Sequence, residues 1–160
     1  NDTTQANLRN MIYWKDVPYG NGGSVVAIAR DKSGKEVARH RIETAGKAVA
    51  LRIEAETPTD WKADGMDLQY INVTVIDKKG RPVWDYNEPL TLQMEGAARL
   101  VALDNGDHYT DELFHGITSK RMYQGRMQII LRSDQEAGNV TVKISSAGLK
   151  GTLRLKTIKE

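Results

Sequence analysis

The sequence predicts an all-β protein whose larger part is an antiparallel β-sandwich. Apolar residues alternate with polar ones along most of the chain, which is the period of a strand with one buried face. Turn residues such as Gly, Asn and Asp interrupt this alternation about every ten positions, as in sandwiches of short strands. No helical pattern lies between the strands, so an α/β fold is excluded.

The first two strands are predicted to pair as a hairpin, and the same turn occurs again further on. Ser24–Arg30 and Glu36–Ile42 flank the turn Asp31–Lys35, and Leu68–Ile76 leads into the similar turn Asp77–Val83. In each turn the aspartate can accept hydrogen bonds from its own loop, and the glycine can adopt a positive φ at little cost.

The remaining strands supply the body of the sandwich. Along Leu68–Ile76, one face carries Ile71, Val73 and Val75 and is expected in the core, while the more polar face is expected to meet solvent. Only Tyr109–Ser119 is long enough for a loop with a helical turn, and its apolar spacing is poor for a helix. The later strands are predicted at Leu90–Glu95, Ala98–Leu103, Tyr123–Arg132, Asn139–Ser145 and Leu149–Ile158.

Composition excludes several classes of partner and chemistry. The net charge of +2 and the scatter of Lys and Arg argue against nucleic acid as a partner. The chain has no cysteine, which excludes disulfides, thiol nucleophiles and cysteine metal ligands. No apolar run approaches the roughly 20 residues that span a bilayer, so no membrane partner is expected. The polar start Asn1–Thr4 lacks the features of a signal peptide.

A change of composition near Thr44–Lys47 predicts a domain boundary. Residues 47–160 contain enough strands for a complete sandwich, whereas residues 1–46 contain only about three. We therefore expect residues 1–46 to be the C-terminal part of a truncated β-sandwich domain, and a chain that begins at Asn1 to be a fragment. A strand edge left open in this way would have to pair with another domain or another copy.

The second half of the sequence carries a set of short motifs that together resemble a known domain. They are, in chain order, Leu51–Ile53, Ala63–Leu68, Asp77–Val83, Glu95-Gly96, Leu100-Val101, Asp104–Asp107, Glu112, Phe114, Gly125, Leu131–Ser133 and Gly138. This pattern resembles the immunoglobulin-like C-terminal domain of family 2 glycoside hydrolases of the bacterial β-galactosidase type. Bacterial adhesin repeats share part of it, and Ala97-Ala98 departs from it, since the family favours a glycine there.

The first half resembles the end of the domain that precedes this one in the same enzymes. The matching residues are Trp14, Asp16–Tyr19, Val25–Ala27, Gly34–Ala38 and Thr44–Gly46. Two adjacent matches in the family's own order are more specific than either alone, and they disfavour an adhesin repeat. Together they cover roughly residues 9–150.

The resemblance implies a fold, an activity for a parent protein and a location. The fold would be an immunoglobulin-like antiparallel β-sandwich preceded by a partial β domain. The parent would be a retaining β-glycosidase of carbohydrate metabolism, with two catalytic glutamates on a TIM barrel, located in the periplasm or outside the cell. No residue of this chain aligns with that catalytic motif, so no catalytic residue is expected here. The partners would be the remaining domains of the parent.

Acidic residues and histidines offer few candidates for chemistry. Asp104–Asp107, with Asp111 and Glu112, could supply oxygen ligands to Ca²⁺, but a turn in which these side chains accept backbone hydrogen bonds is favoured. Glu112 could also pair with Lys120 or Arg121. The three histidines lack the spacing of a metal site, and no acid pair suited to glycoside cleavage is evident. No metal or cofactor is predicted.

Aromatic side chains are the remaining candidates for a binding site, because sugar rings stack on flat aromatic faces. Trp84 and Tyr86 follow the end of a strand, and Tyr109 lies in the longest loop. These three could form a carbohydrate-binding platform at the rim of the sandwich. The alternative is that they pack at the rim or against other domains. The resemblance implies that Trp61 is buried, because the family usually carries an aliphatic residue at that position.

Two functions are compatible with these observations. The favoured one is a non-catalytic, structural accessory region of a family 2 glycoside hydrolase. The alternative is a carbohydrate-binding module that holds polysaccharide near the parent's active site. A binding module should expose two or three coplanar aromatic rings, whereas a packing module should bury them.

Overall fold

The computed structural model describes residues 14–17 and 22–159. It divides the chain into two compact units, Asn1–Thr44 and Ala45–Glu160. The division falls two residues before the boundary expected from composition at residues 46 and 47.

In the first unit, the predicted hairpin is confirmed. β1 (Ser24–Arg30) pairs antiparallel with β2 (Glu36–Glu43). In the turn between them, the Asp31 carboxylate accepts hydrogen bonds from the backbone N–H groups of Ser33 (2.8 Å) and Lys35 (3.0 Å). Gly34 has a φ of 84°, the conformation for which a glycine is predicted at this position.

The second unit is a sandwich of two four-stranded antiparallel sheets. Its strands are β3 (Ala48–Ala55), β4 (Leu68–Asp77), β5 (Pro89–Gly96), β6 (Ala98–Asp104), β7 (Ser119–Arg121), β8 (Arg126–Ser133), β9 (Asn139–Ser146) and β10 (Leu149–Lys156). One sheet has the order β10-β9-β5-β7 and the other β3-β4-β8-β6. The prediction of an all-β sandwich is confirmed.

The core lies between these two sheets and follows the predicted alternation. In β4, Ile71, Val73 and Val75 are buried, whereas Asn72 and Thr74 on the opposite face are half-buried and do not stand fully in solvent. The facing sheet contributes Leu90, Leu92, Val140, Val142 and Ile144. Each central strand therefore buries every second side chain in one shared core.

Trp61 is buried in the same core, as predicted. Its Nε1 donates a hydrogen bond to the backbone O of Asp67 (3.1 Å), which satisfies the polar atom of a buried indole. The carboxylate of Asp67 accepts a hydrogen bond from the backbone N–H of Lys62 (2.8 Å). The segment before β4 is thus fixed by both the ring and the backbone around it.

The prediction of one strand over Tyr123–Arg132 was wrong. Gln124 and Gly125 have φ values of 49° and 67°, and the backbone N–H of Arg126 donates to the O of Tyr123 (3.0 Å). Positive φ at both central residues is the geometry of a type I′ turn, whose twist suits a hairpin. The chain therefore turns between β7 and β8.

Two further boundaries differ from the predictions. The segment Tyr109–Ser119 is a loop of turns and bends with no helical turn, and Ser119 begins β7. β10 ends at Lys156, while Ile158 forms an isolated parallel bridge with Lys62. The other strands differ from the predicted ones by a residue or two at their ends.

We expect Gly125→Ala to destabilise the second unit more than Gly148→Ala. Both glycines are the second residue of a two-residue turn with positive φ, 67° and 87°, so either alanine costs about 1 kcal/mol in backbone strain. A Cβ at Gly125 would also collide with the backbone O of Val83, whereas one at Gly148 would meet open space. Urea unfolding should therefore show an extra loss of about 1–3 kcal/mol for Gly125→Ala. Equal losses would contradict the packing against Val83.

Candidate functional site

The three aromatic residues predicted to form a platform lie in different settings. Trp84 is 49% exposed, and the Arg126 guanidinium lies over its ring at 4.4 Å from the centroid. Tyr86 is half-buried against the core, and its hydroxyl hydrogen-bonds with Oγ of Ser146 (2.8 Å). Tyr109 is 96% exposed, and it is the one of the three that lines an open groove beside the loop between β6 and β7. Their role in carbohydrate binding stays a prediction.

Tyr109 lines an open groove of about 420 Å³, formed by the loop between β6 and β7 together with the segments before β5 and after β7. This volume is in the range of about 300–1,000 Å³ that is typical of small-molecule sites. We call it the loop groove. Its lining includes the polar and aromatic side chains of Asn87, Asp107, Tyr109, Asp111, Arg121 and Tyr123.

The floor of the loop groove is made of buried residues. Met122 and Asn105 are both buried. The Nδ2 group of Asn105 donates to the backbone O of Arg121 (2.9 Å), and its Oδ1 accepts from the backbone N–H of Asp107 (3.1 Å). Asn105 therefore joins the two sides of the groove, with one hydrogen bond at its amide nitrogen and one at its amide oxygen.

The turn interpretation of Asp104–Asp107 is confirmed by its hydrogen bonds. Asp104 Oδ1 accepts from the backbone N–H of Gly106 (2.8 Å), and Asp107 Oδ1 accepts from that of Tyr109 (3.0 Å). Together with Asn105, these side chains form successive turns in which each closes the backbone two residues ahead. The turns set the direction in which the chain carries Tyr109 into the solvent.

A buried lysine fixes the loop that forms the outer wall. Lys120 is 1% exposed, and its Nζ donates to the backbone O atoms of Glu112 and Leu113, both at 3.1 Å. The same ammonium lies 4.2 Å from the centroid of the Phe114 ring. The carboxylate of Glu112 accepts from the backbone N–H of Arg121 (3.3 Å). Glu112 thus contacts both expected partners, through backbone groups and not as a side-chain ion pair.

Sequence analysis identified Tyr109 but missed Asn87, Arg121 and Tyr123 as residues of the same groove. Nη1 of Arg121 donates to the backbone O of Asn87 (3.4 Å), and Asn87 Oδ1 accepts from the backbone N–H of Gln124 (3.0 Å). The dipeptide Gln124-Gly125 was the available signal, because a residue followed by glycine between two strands is typical of a two-residue turn. It would have placed Tyr123 at a loop end.

A second groove of about 400 Å³ lies on the outer face of the sheet that contains β4 and β8, where Asp104 and Gly106 also reach. The side-chain amides of Gln128 and Asn72 in this groove already have partners. Gln128 Nε2 donates to Asn72 Oδ1 (3.1 Å), and Asn72 Nδ2 donates to a Glu56 carboxylate oxygen (3.1 Å). No aromatic side chain lines this part of the described surface. It offers a sugar ring no flat surface for stacking.

Among the described carboxyl groups, that of Asp77 has the most strongly shifted pKa, and its role is structural. The Asp77 carboxylate is buried and accepts from the backbone N–H groups of Gly46 (2.8 Å), Lys79 (2.8 Å) and Arg81 (2.9 Å). It also accepts from Nε of the Arg81 side chain (2.8 Å). The Arg81 guanidinium first, and the Gly46 N–H next, hold the pKa of Asp77 well below its ordinary value. This is the turn predicted from Asp77–Val83.

The other carboxyl groups with a shifted pKa also accept hydrogen bonds in turns or form ion pairs. The pKa of Asp64 is lowered chiefly by the backbone N–H of Met66, that of Asp31 by the Ser33 hydroxyl, and that of Glu36 by Arg39. A glycosidase acid needs a pKa displaced upward. Within the described residues, every displaced carboxyl pKa is displaced downward.

The histidines are exposed and contribute to no cluster. His40 lies in β2, and His108 and His115 lie in the loop between β6 and β7. In the part of the chain that the structure describes, no group of three or more His, Asp or Glu side chains is arranged to hold a metal ion.

The second unit matches a known family of domains. The family model described as glycoside hydrolase family 2 C-terminal domain 5 matches residues 51–153, which extend from β3 into β10. The chain belongs to this family. The resemblance seen in the sequence motifs is confirmed.

Relatives and solved structures agree with this family 2 assignment. The chain is 32% identical over 128 residues to the β-galactosidase BoGH2A of Bacteroides ovatus, a match that covers 80% of this chain and 15% of that protein. It is 31% identical over 111 residues to a β-glucuronidase of Formosa agariphila, covering 68% and 11%. A crystal structure of a family 2 member from Bacteroides cellulosilyticus superposes with a TM-score of 0.81 at 28% identity, covering 89% of this chain and 18% of that one.

The family 2 match therefore concerns a small part of each relative. The chain spans about 15% of the length of BoGH2A. No helix among the described residues is long and apolar enough to cross a membrane.

We expect Asp77→Asn to lower the urea midpoint of unfolding of this family 2 domain at pH 7. The amide cannot replace the charge that faces Arg81, nor accept as many hydrogen bonds. Because the folded pKa of Asp77 lies below the unfolded value of about 3.9, its contribution is present above that value. It is lost as the pH falls, so the gap between wild type and variant should narrow below about pH 5.

The matched control is Asp85→Asn, which removes the same charge from an exposed position. It should leave the midpoint nearly unchanged at every pH. A gap between wild type and Asp77→Asn that stays constant from pH 7 to pH 2 would show that the carboxylate of Asp77 does not stabilise the fold through its charge.

Proposed function

We propose that this chain is a non-catalytic accessory region of a family 2 glycoside hydrolase that acts on β-galactosides. One observation carries the non-catalytic part of the proposal. Among the described residues, the carboxylates of Asp31, Asp64 and Asp77 each accept backbone hydrogen bonds in a turn. Glu36 forms an ion pair with Arg39. These contacts hold the four carboxyl groups in structural roles and lower their pKa values. A retaining glycosidase instead needs two facing carboxyl groups with one pKa raised. The β-galactosidase part is supported by the name of the relative BoGH2A.

The mechanical side of the proposal is supported by the packing of the second unit. Seventeen buried apolar side chains form one cluster between its sheets, and Asp77 and Asp104 accept backbone hydrogen bonds where the chain leaves β4 and β6. A module of this kind changes shape little, because a close-packed core transmits strain and resists compression. It is suited to hold the other domains of a large enzyme in fixed positions.

We extend the proposal to residues 1–46, which we assign to the C-terminal part of a preceding β-sandwich domain. One face of the β1–β2 hairpin carries Val25 opposite Ile42 and Ala29 opposite Ala38. The other face places Ile28 opposite Arg39. The side chains of Val25, Ile28 and Ile42 are exposed. Since a two-stranded hairpin alone is marginally stable, these exposed apolar side chains support the assignment to a larger sandwich.

The catalytic prediction is tested with the purified 160-residue chain. It should release no 4-nitrophenol from 4-nitrophenyl β-galactoside or β-glucuronide. The positive controls are BoGH2A for the galactoside and the β-glucuronidase of Formosa agariphila for the glucuronide. Turnover that elutes with the chain through several columns would overturn the non-catalytic assignment.

The domain prediction is tested by removing the first unit. Residues 45–160 alone should unfold cooperatively at nearly the temperature of the same transition in the whole chain, because every member of the core cluster lies within them. Differential scanning calorimetry measures both. A fragment without a cooperative transition would show that the sandwich depends on residues 1–44.

A second function, carbohydrate binding, is favoured by one specific observation. The loop groove combines an aromatic ring that is 96% exposed with several hydrogen-bonding side chains. Stacking surfaces beside polar groups are what sugar rings require.

A further inference from the structure

We propose that the loop groove binds a short neutral oligosaccharide. The proposal rests on the second function above and assigns it to a site, a set of residues and a class of sugar. It keeps Tyr109 of the predicted platform and combines it with Tyr123, since both tyrosines line this groove. Trp84 and Tyr86 do not belong to it.

The two tyrosines provide the apolar surface. Tyr109 is 96% exposed and Tyr123 38% exposed. The carbon-bound hydrogens on one face of a pyranose ring are apolar, so stacking on an aromatic ring removes apolar area from water on both sides. An exposed tyrosine in a groove removes this apolar area from water only when a ligand is bound.

Polar side chains beside the tyrosines match the hydroxyl groups of a sugar. Asp111 and Arg121 are exposed, and they supply a carboxylate acceptor and guanidinium donors. The Oδ1 atom of Asn87 bonds to the backbone of Gln124, and its NH₂ group is a further donor to the groove. Each sugar hydroxyl both donates and accepts, so a groove with both types of partner suits it.

The wall that carries Tyr109 has a fixed shape before any ligand arrives. Lys120 holds the loop from below through the backbone O atoms of Glu112 and Leu113. Asn105 joins the start of the loop to the backbone of Arg121. Fixing a binding loop in advance reduces the entropy cost of association. The loop groove therefore needs little rearrangement to take up a ligand.

The charges of the groove select a neutral sugar. Asp107, Asp111 and Glu112 carry negative charges, and Arg121 carries a positive one. A uronic acid or a sulfated sugar would bring another negative charge to this surface, and like charges disfavour a ligand. A neutral galactose- or glucose-type oligosaccharide pays no such penalty.

The test is a nitrogen-15 NMR titration of the 160-residue chain with two β-linked sugars. β-1,4-Galactotetraose is the neutral probe, and a hyaluronan tetrasaccharide, which contains glucuronate, is the anionic one. The neutral sugar should cause saturable shifts of the backbone signals of residues 107–112 and 121–124 at millimolar concentration. No saturable shift with either sugar would overturn the proposal. Equal or tighter binding of the hyaluronan tetrasaccharide would overturn the assignment of a neutral ligand.

Variants locate the site. Tyr109→Ala should weaken galactotetraose binding about tenfold, while Tyr109→Phe keeps most of it. The matched control is Trp84→Ala, which removes an exposed aromatic ring outside the loop groove and should leave the affinity unchanged. An affinity lost with Trp84→Ala and kept with Tyr109→Ala would overturn the location. Because Tyr109 is 96% exposed, its variants should keep the spectrum of the folded domain.

A charge variant tests the selection between sugars. Asp111→Asn removes one negative charge and should strengthen binding of the hyaluronan tetrasaccharide relative to galactotetraose. An unchanged ratio would contradict the electrostatic argument. These measurements do not depend on the hydrolysis assay, so a failure of the binding site and a failure of the non-catalytic assignment give different results.

Discussion

Burial of every second side chain between two sheets constrains the rest of this molecule. Ile71, Val73 and Val75 of β4 share one core with Leu92 and Val142 of the opposite sheet. A shift of one residue in any central strand would turn its apolar side chains outward, so the register of the sandwich is strongly fixed. Variation is left to the outer faces and to the loops, which is why the groove with accessible chemistry lies where loops meet.

The aspartates of this chain show how the constraint is met at the strand ends. An antiparallel sandwich must reverse direction after each strand, and each reversal leaves backbone N–H groups without ladder partners. Asp31 and Asp77 satisfy these groups in the same way, in two units of the chain. Asp104 and Asp107 do so in the loop beside the groove. The hydrogen bonds that Asp31 and Asp77 accept lower the pKa values of these two carboxyl groups, whereas a general acid at neutral pH needs a raised pKa.

The sequence was sufficient for features that depend on neighbouring residues. The β1–β2 hairpin and the core face of β4 follow from alternation and turn residues alone, whereas the burial of Trp61 was expected from the family resemblance. The sequence predicted no groove: Tyr109, Asp111 and Glu112 were separate candidates, because the residues that line the groove meet only after the sheets have formed. The pairing of Pro89 with Arg121 between β5 and β7 places Asn87 beside that arginine. β7 has three residues, too few for alternation to be recognised in a sequence.

Lys120 connects the structural role of the domain with the proposed binding site. A buried ammonium group is costly unless its hydrogens are bonded, and an apolar side chain of similar size would avoid that cost. Here the cost is offset by the backbone O atoms of Glu112 and Leu113 and by the Phe114 ring. What the lysine adds, and an apolar residue would not, is a directional link from the sheet to a loop that has no strand of its own. That link holds the loop backbone at Glu112 and Leu113, and so fixes the wall of the proposed sugar-binding groove at Glu112.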